Sequence, residues 1–84
     1  MSGLYHYQGM GLHYLSEEYD YAVYYKHPDS KMSKQDYYNP YRVYKLEMVW
    51  SAERGWRRSH KLVGKYADLY SAVQSVRIGK GYSI

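Results

Sequence analysis

Cysteine is missing from all 84 residues, which excludes disulfides, thiolate metal ligation and a cysteine nucleophile. Phenylalanine is missing too, and proline occurs only twice. No run approaches the roughly 20 consecutive apolar residues that a membrane-spanning helix needs. No lysine or arginine precedes Lys26, and Gly9 and Gly11 interrupt the one locally apolar stretch near the start. The opening residues therefore do not read as a secretory signal, and the expected setting is the cytoplasm.

The catalytic signatures are missing as well. There is no G-x-S-x-G, no P-loop and no H-E-x-x-H, and the glycines at 9, 11, 55, 64, 79 and 81 match no phosphate cradle. His6, His13, His27 and His60 are scattered without an i, i+4 pair, so no metal site is expected. His27 and His60 read as surface groups free to titrate. Glu17, Glu18 and Asp20 form an acidic patch, read as facing the basic half of the chain. No cofactor is implied.

What is present is tyrosine: fourteen, with two tryptophans beside them. A tyrosine ring is largely apolar, but its hydroxyl wants a partner or water. One small domain, residues 1–84, buries about 60–65% of its unfolded surface and reaches a net stability of roughly 5 kcal/mol. Fourteen such rings cannot all be buried and satisfied in it, so many are expected at a contact surface. Charge is also divided. Residues 1–25 hold three acids and no lysine or arginine, a formal −3, whereas residues 26–84 hold all twelve cations against five acids, a formal +7. That asymmetry suits an acidic partner, or two halves that neutralise each other.

Periodicity places the elements. Residues 1–18 read as an irregular arm, with a strand around Leu12, Tyr14 and Leu15 as the other reading. Residues 19–26 alternate as a strand that Pro28 ends. Residues 27–40 form a long polar loop with room for one helical turn from Asp29 or Ser30. Residues 42–50 are the clearest strand, with Tyr44, Leu46, Met48 and Trp50 on one face. A turn over 51–55 leads into a returning strand over 56–63. The pairing that keeps apolar residues together sets Trp50 opposite Trp56, Leu46 opposite His60, Tyr44 opposite Leu62, Val43 opposite Val63 and Glu47 opposite Ser59. Gly64 marks the exit. Residues 66–78 carry Leu69, Val73 and Val76 at helical spacing, and Gly79 stops that helix. Tyr82 and Ile84 suit a short last strand. The expected fold is α+β: a three- to four-stranded antiparallel sheet with one amphipathic C-terminal helix packed on one face.

The candidate site is the basic, aromatic hairpin: Trp50, Arg54, Trp56, Arg57, Arg58, His60, Lys61 and Lys65, with exposed Tyr37, Tyr38 and Tyr41. Cations neutralise acidic groups and flat rings stack, so this set suits an acidic protein surface. It also suits single-stranded RNA or DNA, bound through phosphate contacts and base stacking, although no RRM signature is present. A metal-independent ribonuclease using Arg57, Arg58, His60 and Lys61 is the one enzyme class the composition leaves open. In general character the chain resembles the small accessory and inhibitor proteins that bacteriophages encode, a likeness of style rather than of motif. The leading expectation is a non-enzymatic interaction protein with no membrane partner and no small-molecule cofactor.

Overall fold

A computed structural model describes residues 4–81. The chain runs β1 (His6–Tyr7), β2 (Met10–Leu15), β3 (Tyr21–Tyr25), α1 (Lys34–Tyr38), β4 (Tyr41–Ser51), β5 (Gly55–Tyr66) and α2 (Leu69–Gly79). The strands form one antiparallel meander in the order β1-β2-β3-β4-β5. Among the described residues no helix is long and apolar enough to cross a membrane.

This corrects the expected fold. Among the described residues the sheet has five strands rather than three or four, it curls into a half-barrel, and it dominates them at 46% strand against 21% helix. Over residues 4–18 the strand reading around Leu12, Tyr14 and Leu15 holds, as β2, and the irregular arm does not. Gln8 and Gly9, both at positive φ, turn β1 back onto β2, pairing Tyr7 with Met10. Glycines that read as interruptions are here the turn of a hairpin. In the polar loop, the helical turn begins at Lys34 rather than Asp29 or Ser30. The Ser33 side chain caps it by accepting from the Asp36 N–H. The strand over 56–63 continues to Tyr66, so the C-terminal helix starts later, at Leu69, capped by Asp68. The proposed strand at Tyr82 and Ile84 lies outside the described residues.

Two bulges produce the curl. His13 is the extra residue between the Leu12–Tyr24 and Tyr14–Val23 pairs, and Val63 the extra residue between Val43–Gly64 and Tyr44–Leu62. Bulges bend and twist the strand that carries them. The expected pairs Trp50–Trp56, Leu46–His60, Tyr44–Leu62 and Glu47–Ser59 all form, whereas Val43 meets Gly64 instead of Val63. Gly64 stays inside the strand because the Tyr66 ring lies over it. A Cβ there would come within 2.8 Å of that ring.

Each face of the sheet has its own core. On one, α2 places Ala72 and Val76 against Val23 and Val43, with Tyr14, Tyr21, Tyr41, Tyr66 and Leu69 around them. On the other, Met10, Ala22, Tyr24, Tyr44 and Leu46 are enclosed by the sheet's own curl, with Leu4, Tyr7, Leu12 and Leu15 packed on them. Tyr7 reaches across to stack on His60, ring centroids 3.9 Å apart, drawing the first and last strands together. Tyrosine here does what phenylalanine would, with a hydroxyl to satisfy. Tyr24, fully buried, donates its hydroxyl to the Leu4 carbonyl at 2.6 Å.

A charged clasp ties α2 to the β2–β3 turn. Lys80 donates to Asp20 at 2.7 and 2.9 Å and also to Glu18. The Ser16 hydroxyl donates to Asp20 and accepts the Asp20 and Tyr21 N–H groups. Glu18 and Asp20 of the acidic patch are thus spent on Lys80 and not on the hairpin arginines. The hydrogen bonds from Lys80 hold the Asp20 carboxyl below its ordinary 3.8, and the two carboxylates push the Lys80 ammonium up.

Candidate interaction surface

β4 and β5 are far longer than their neighbours. β3 pairs with β4 only from Tyr41 to Lys45, and the last backbone bond from that side is Leu46 N–H to Asp20 carbonyl at 2.8 Å. Beyond Leu46 the two strands pair, among the described residues, only with each other, and residues 47–59 leave the sheet as a two-stranded ribbon. The radius of gyration, 13.7 Å, exceeds the roughly 12 Å of a compact chain this long. Gly55, at φ +71°, closes the tip, where the Arg54 N–H donates to the Ser51 hydroxyl. That left-handed φ is cheap for glycine and strained for other residues.

The stripe Tyr44, Leu46, Met48, Trp50 keeps one face throughout, but its burial does not. Tyr44 and Leu46 are each 7% exposed, whereas Met48 is 56% and Trp50 61%. Trp56, opposite Trp50, is 67% exposed. Arg58, opposite Met48, completes this face. The other face carries Val49 opposite Arg57 and Lys45 opposite Lys61. Among the described residues, Arg54, Arg57, Arg58 and Lys61 make no ion pair with Asp or Glu. A cavity of about 230 Å³ opens where the ribbon leaves the sheet, lined by Glu18, Tyr19, Leu46, Glu47, Met48 and Arg58.

The remaining sequence candidates separate from this surface. His60 is not a surface group: its ring is half-buried under Tyr7, and Nε2 lies 3.2 Å from the Tyr24 hydroxyl oxygen. That hydroxyl has given its one hydrogen to Leu4, so Nε2–H of His60 is the donor. Burial, helped by the nearby Arg58 charge, pushes the imidazole below its ordinary 6.5. Lys65 is held by Asp36 at 2.6 Å and is spent on tying α1 to the base of the hairpin. Tyr41 packs into the α2-side core, 5.1 Å from the Tyr25 ring, rather than joining an exposed platform. Tyr37 and Tyr38 are exposed and meet edge to face at 5.2 Å. Their helix, however, is anchored at Lys65, about 30 Å along β5 from Trp56 at roughly 3.3 Å per residue. The hairpin tip and the tyrosine pair are two surfaces, not one.

Met48 and Tyr19 are the surface residues that sequence reasoning did not select. Met48 shares the stripe with Trp50 and was legible as its neighbour. Tyr19, exposed and at φ +60°, carried no signal of its kind, because its place depends on the β2–β3 turn. A wider cleft, about 430 Å³, lies elsewhere, between β2 and the end of α2. Its Lys80 is already committed to Asp20 and Glu18. No protein-family model, curated protein or solved structure matches this chain.

Proposed function

We propose that this chain is a non-enzymatic interaction protein that docks its β4–β5 ribbon on an acidic surface of a partner protein. One observation carries the reading: an apolar stripe continuous with the core leaves the core at Met48 and stays exposed through Trp50 and Trp56. Exposed apolar groups of this size, flanked by cations, mark contact sites, and tryptophan and arginine are the side chains most enriched where binding energy concentrates. The cations are available: among the described residues Arg54, Arg57, Arg58 and Lys61 pair with no acid, and Glu18 and Asp20 hold Lys80. Occupying a partner's acidic surface suits an accessory or inhibitor protein, and a cysteine-free chain suits a cytoplasmic setting.

The distribution of side chains favours protein over nucleic acid. Arg58 shares a face with the indoles, but Arg57 and Lys61 point the other way, and Glu47 and Glu53 interrupt the positive charge. The test is affinity capture from native cells at moderate salt, with and without nuclease. Wild type is expected to retain a nuclease-insensitive protein that both Trp50→Ala/Trp56→Ala and Arg57→Glu/Arg58→Glu release. Equal capture by the variants overturns the reading. Loss of the partner on nuclease treatment transfers the surface to nucleic acid.

A further inference from the structure

We propose that the outer edge of β5 accepts an extended acidic segment of the partner as a sixth strand. The inference rests on the ribbon being the docking element and specifies how it docks. β5 spans twelve residues, Gly55–Tyr66, without proline, and among the described residues it pairs only with β4. Its other edge therefore offers backbone N–H and C=O groups, which is the template that strand addition uses. The outer edge of β4 beyond Leu46 is open as well, but it is shorter and carries Glu47 in place of a cation.

The side chains along β5 specify the occupant. Arg57 and Lys61 stand on one face and Arg58 on the other, all three exposed and none paired with an acid among the described residues. Exposed Leu62 and Val63 follow at the base end, and exposed Trp56 stands at the tip end. Residues directly opposite on an added strand come within about 5 Å of these side chains. An antiparallel segment that fits reads, from its N-terminus, two apolar residues, an acid, two neutral residues, two acids and a closing aromatic. This order sets acids opposite Lys61, Arg58 and Arg57, and apolar groups opposite Val63, Leu62 and Trp56. A second copy of the chain is the poorer occupant, because it brings cations to both sides of the seam. Pairing two β5 strands about Ser59, for example, sets Arg57 opposite Lys61 twice, and like charges directly opposite destabilise a sheet. The same cations suit an acidic strand.

The probe is a synthetic octapeptide, Val-Val-Glu-Thr-Thr-Glu-Glu-Trp, titrated into the full chain up to millimolar concentration. Amide hydrogen exchange along β5 is read alongside affinity. Alternate β5 amides are expected to gain protection. N-methylation of every second peptide amide should weaken binding at least tenfold in one set and leave the other set tolerated. Replacing the three glutamates by lysine, or Arg57→Glu/Arg58→Glu/Lys61→Glu in the protein, should cost at least tenfold. Unprotected β5 amides at the highest peptide concentration overturn strand addition, as does indifference to N-methylation in both sets. Self-association of the free chain through β5, or protection of the same amides by a single-stranded oligonucleotide, overturns it too. If the octapeptide fails while the tryptophan and arginine variants still release the captured protein, ribbon docking stands and only the sixth strand falls. If the variants also retain the captured protein, both fall.

Discussion

Leu46 and Met48 stand two residues apart on the same face of the same strand, yet the first is 7% exposed and the second 56%. The base of the hairpin has β3 beside it, Tyr7 over it and α2 behind it, while among the described residues the ribbon beyond is paired only with itself. Identical patterning thus yields core in one region and contact surface in the other. What differs is whether a third strand and the curl of the sheet arrive to cover it. Stability should depend on the base and binding on the ribbon, and variants that exchange these dependences would break the comparison.

The largest effect is expected at the centre of the base. Tyr24→Ala empties the curled core and should cost about 3–5 kcal/mol, most of the stability of a domain this small, as read by denaturant unfolding. Tyr24→Phe keeps the packing but removes the hydroxyl's hydrogen bond to the Leu4 carbonyl, and should cost about 1 kcal/mol.

Next comes the clasp. The Asp20 carboxyl is held below 3.8 by Lys80, so its contribution is present above that value and fades as pH falls through the folded-state value. Asp20→Asn should lower Tm at neutral pH and flatten the acid side of the stability profile.

The His60 imidazole supplies a milder dependence. Its folded-state value lies below 6.5 because the neutral form is buried under Tyr7. Between that value and 6.5 the unfolded chain binds more protons, so stability rises with pH across the window and falls on acidification. His60→Phe should remove this slope, and an unchanged slope would place the ring in water.

The ribbon should give the smallest changes in stability. Trp50→Ala/Trp56→Ala should alter unfolding by about 1 kcal/mol or less, and Arg57→Glu/Arg58→Glu by about 0.5 kcal/mol, since exposed substitutions seldom exceed that. A collapse in Tm from either pair would show that the ribbon folds back onto the base.

The hairpin was the most legible part of the chain. Period-two alternation and a matched pair of tryptophans determine the register from Tyr44–Leu62 to Trp50–Trp56. The bulge at Val63 was not legible, because one extra residue costs no apolar pairing that a pattern could reveal. Nor was β1, whose turn lies in glycine-rich sequence that alternates poorly, and β2 was legible only as one of two readings. At the site, Trp50, Trp56, Arg57 and Arg58 stand where alternation places them. His60, Lys65 and Tyr41 do not stay on the surface, since Tyr7, Asp36 and the α2-side core come from distant parts of the chain to claim them.

By itself the sequence determined the absence of cysteine chemistry, the excess of rings over what a small core can hold, and the pairing of the two long strands, because composition and local periodicity are properties of neighbours along the chain. Only the tertiary structure decided that the sheet closes over one half of a continuous apolar stripe and abandons the other. It also decided that Glu18 and Asp20 hold Lys80, while Arg54, Arg57 and Arg58 make no ion pair among the described residues. Burial and charge pairing depend on which distant segments meet in space, and no local pattern records that.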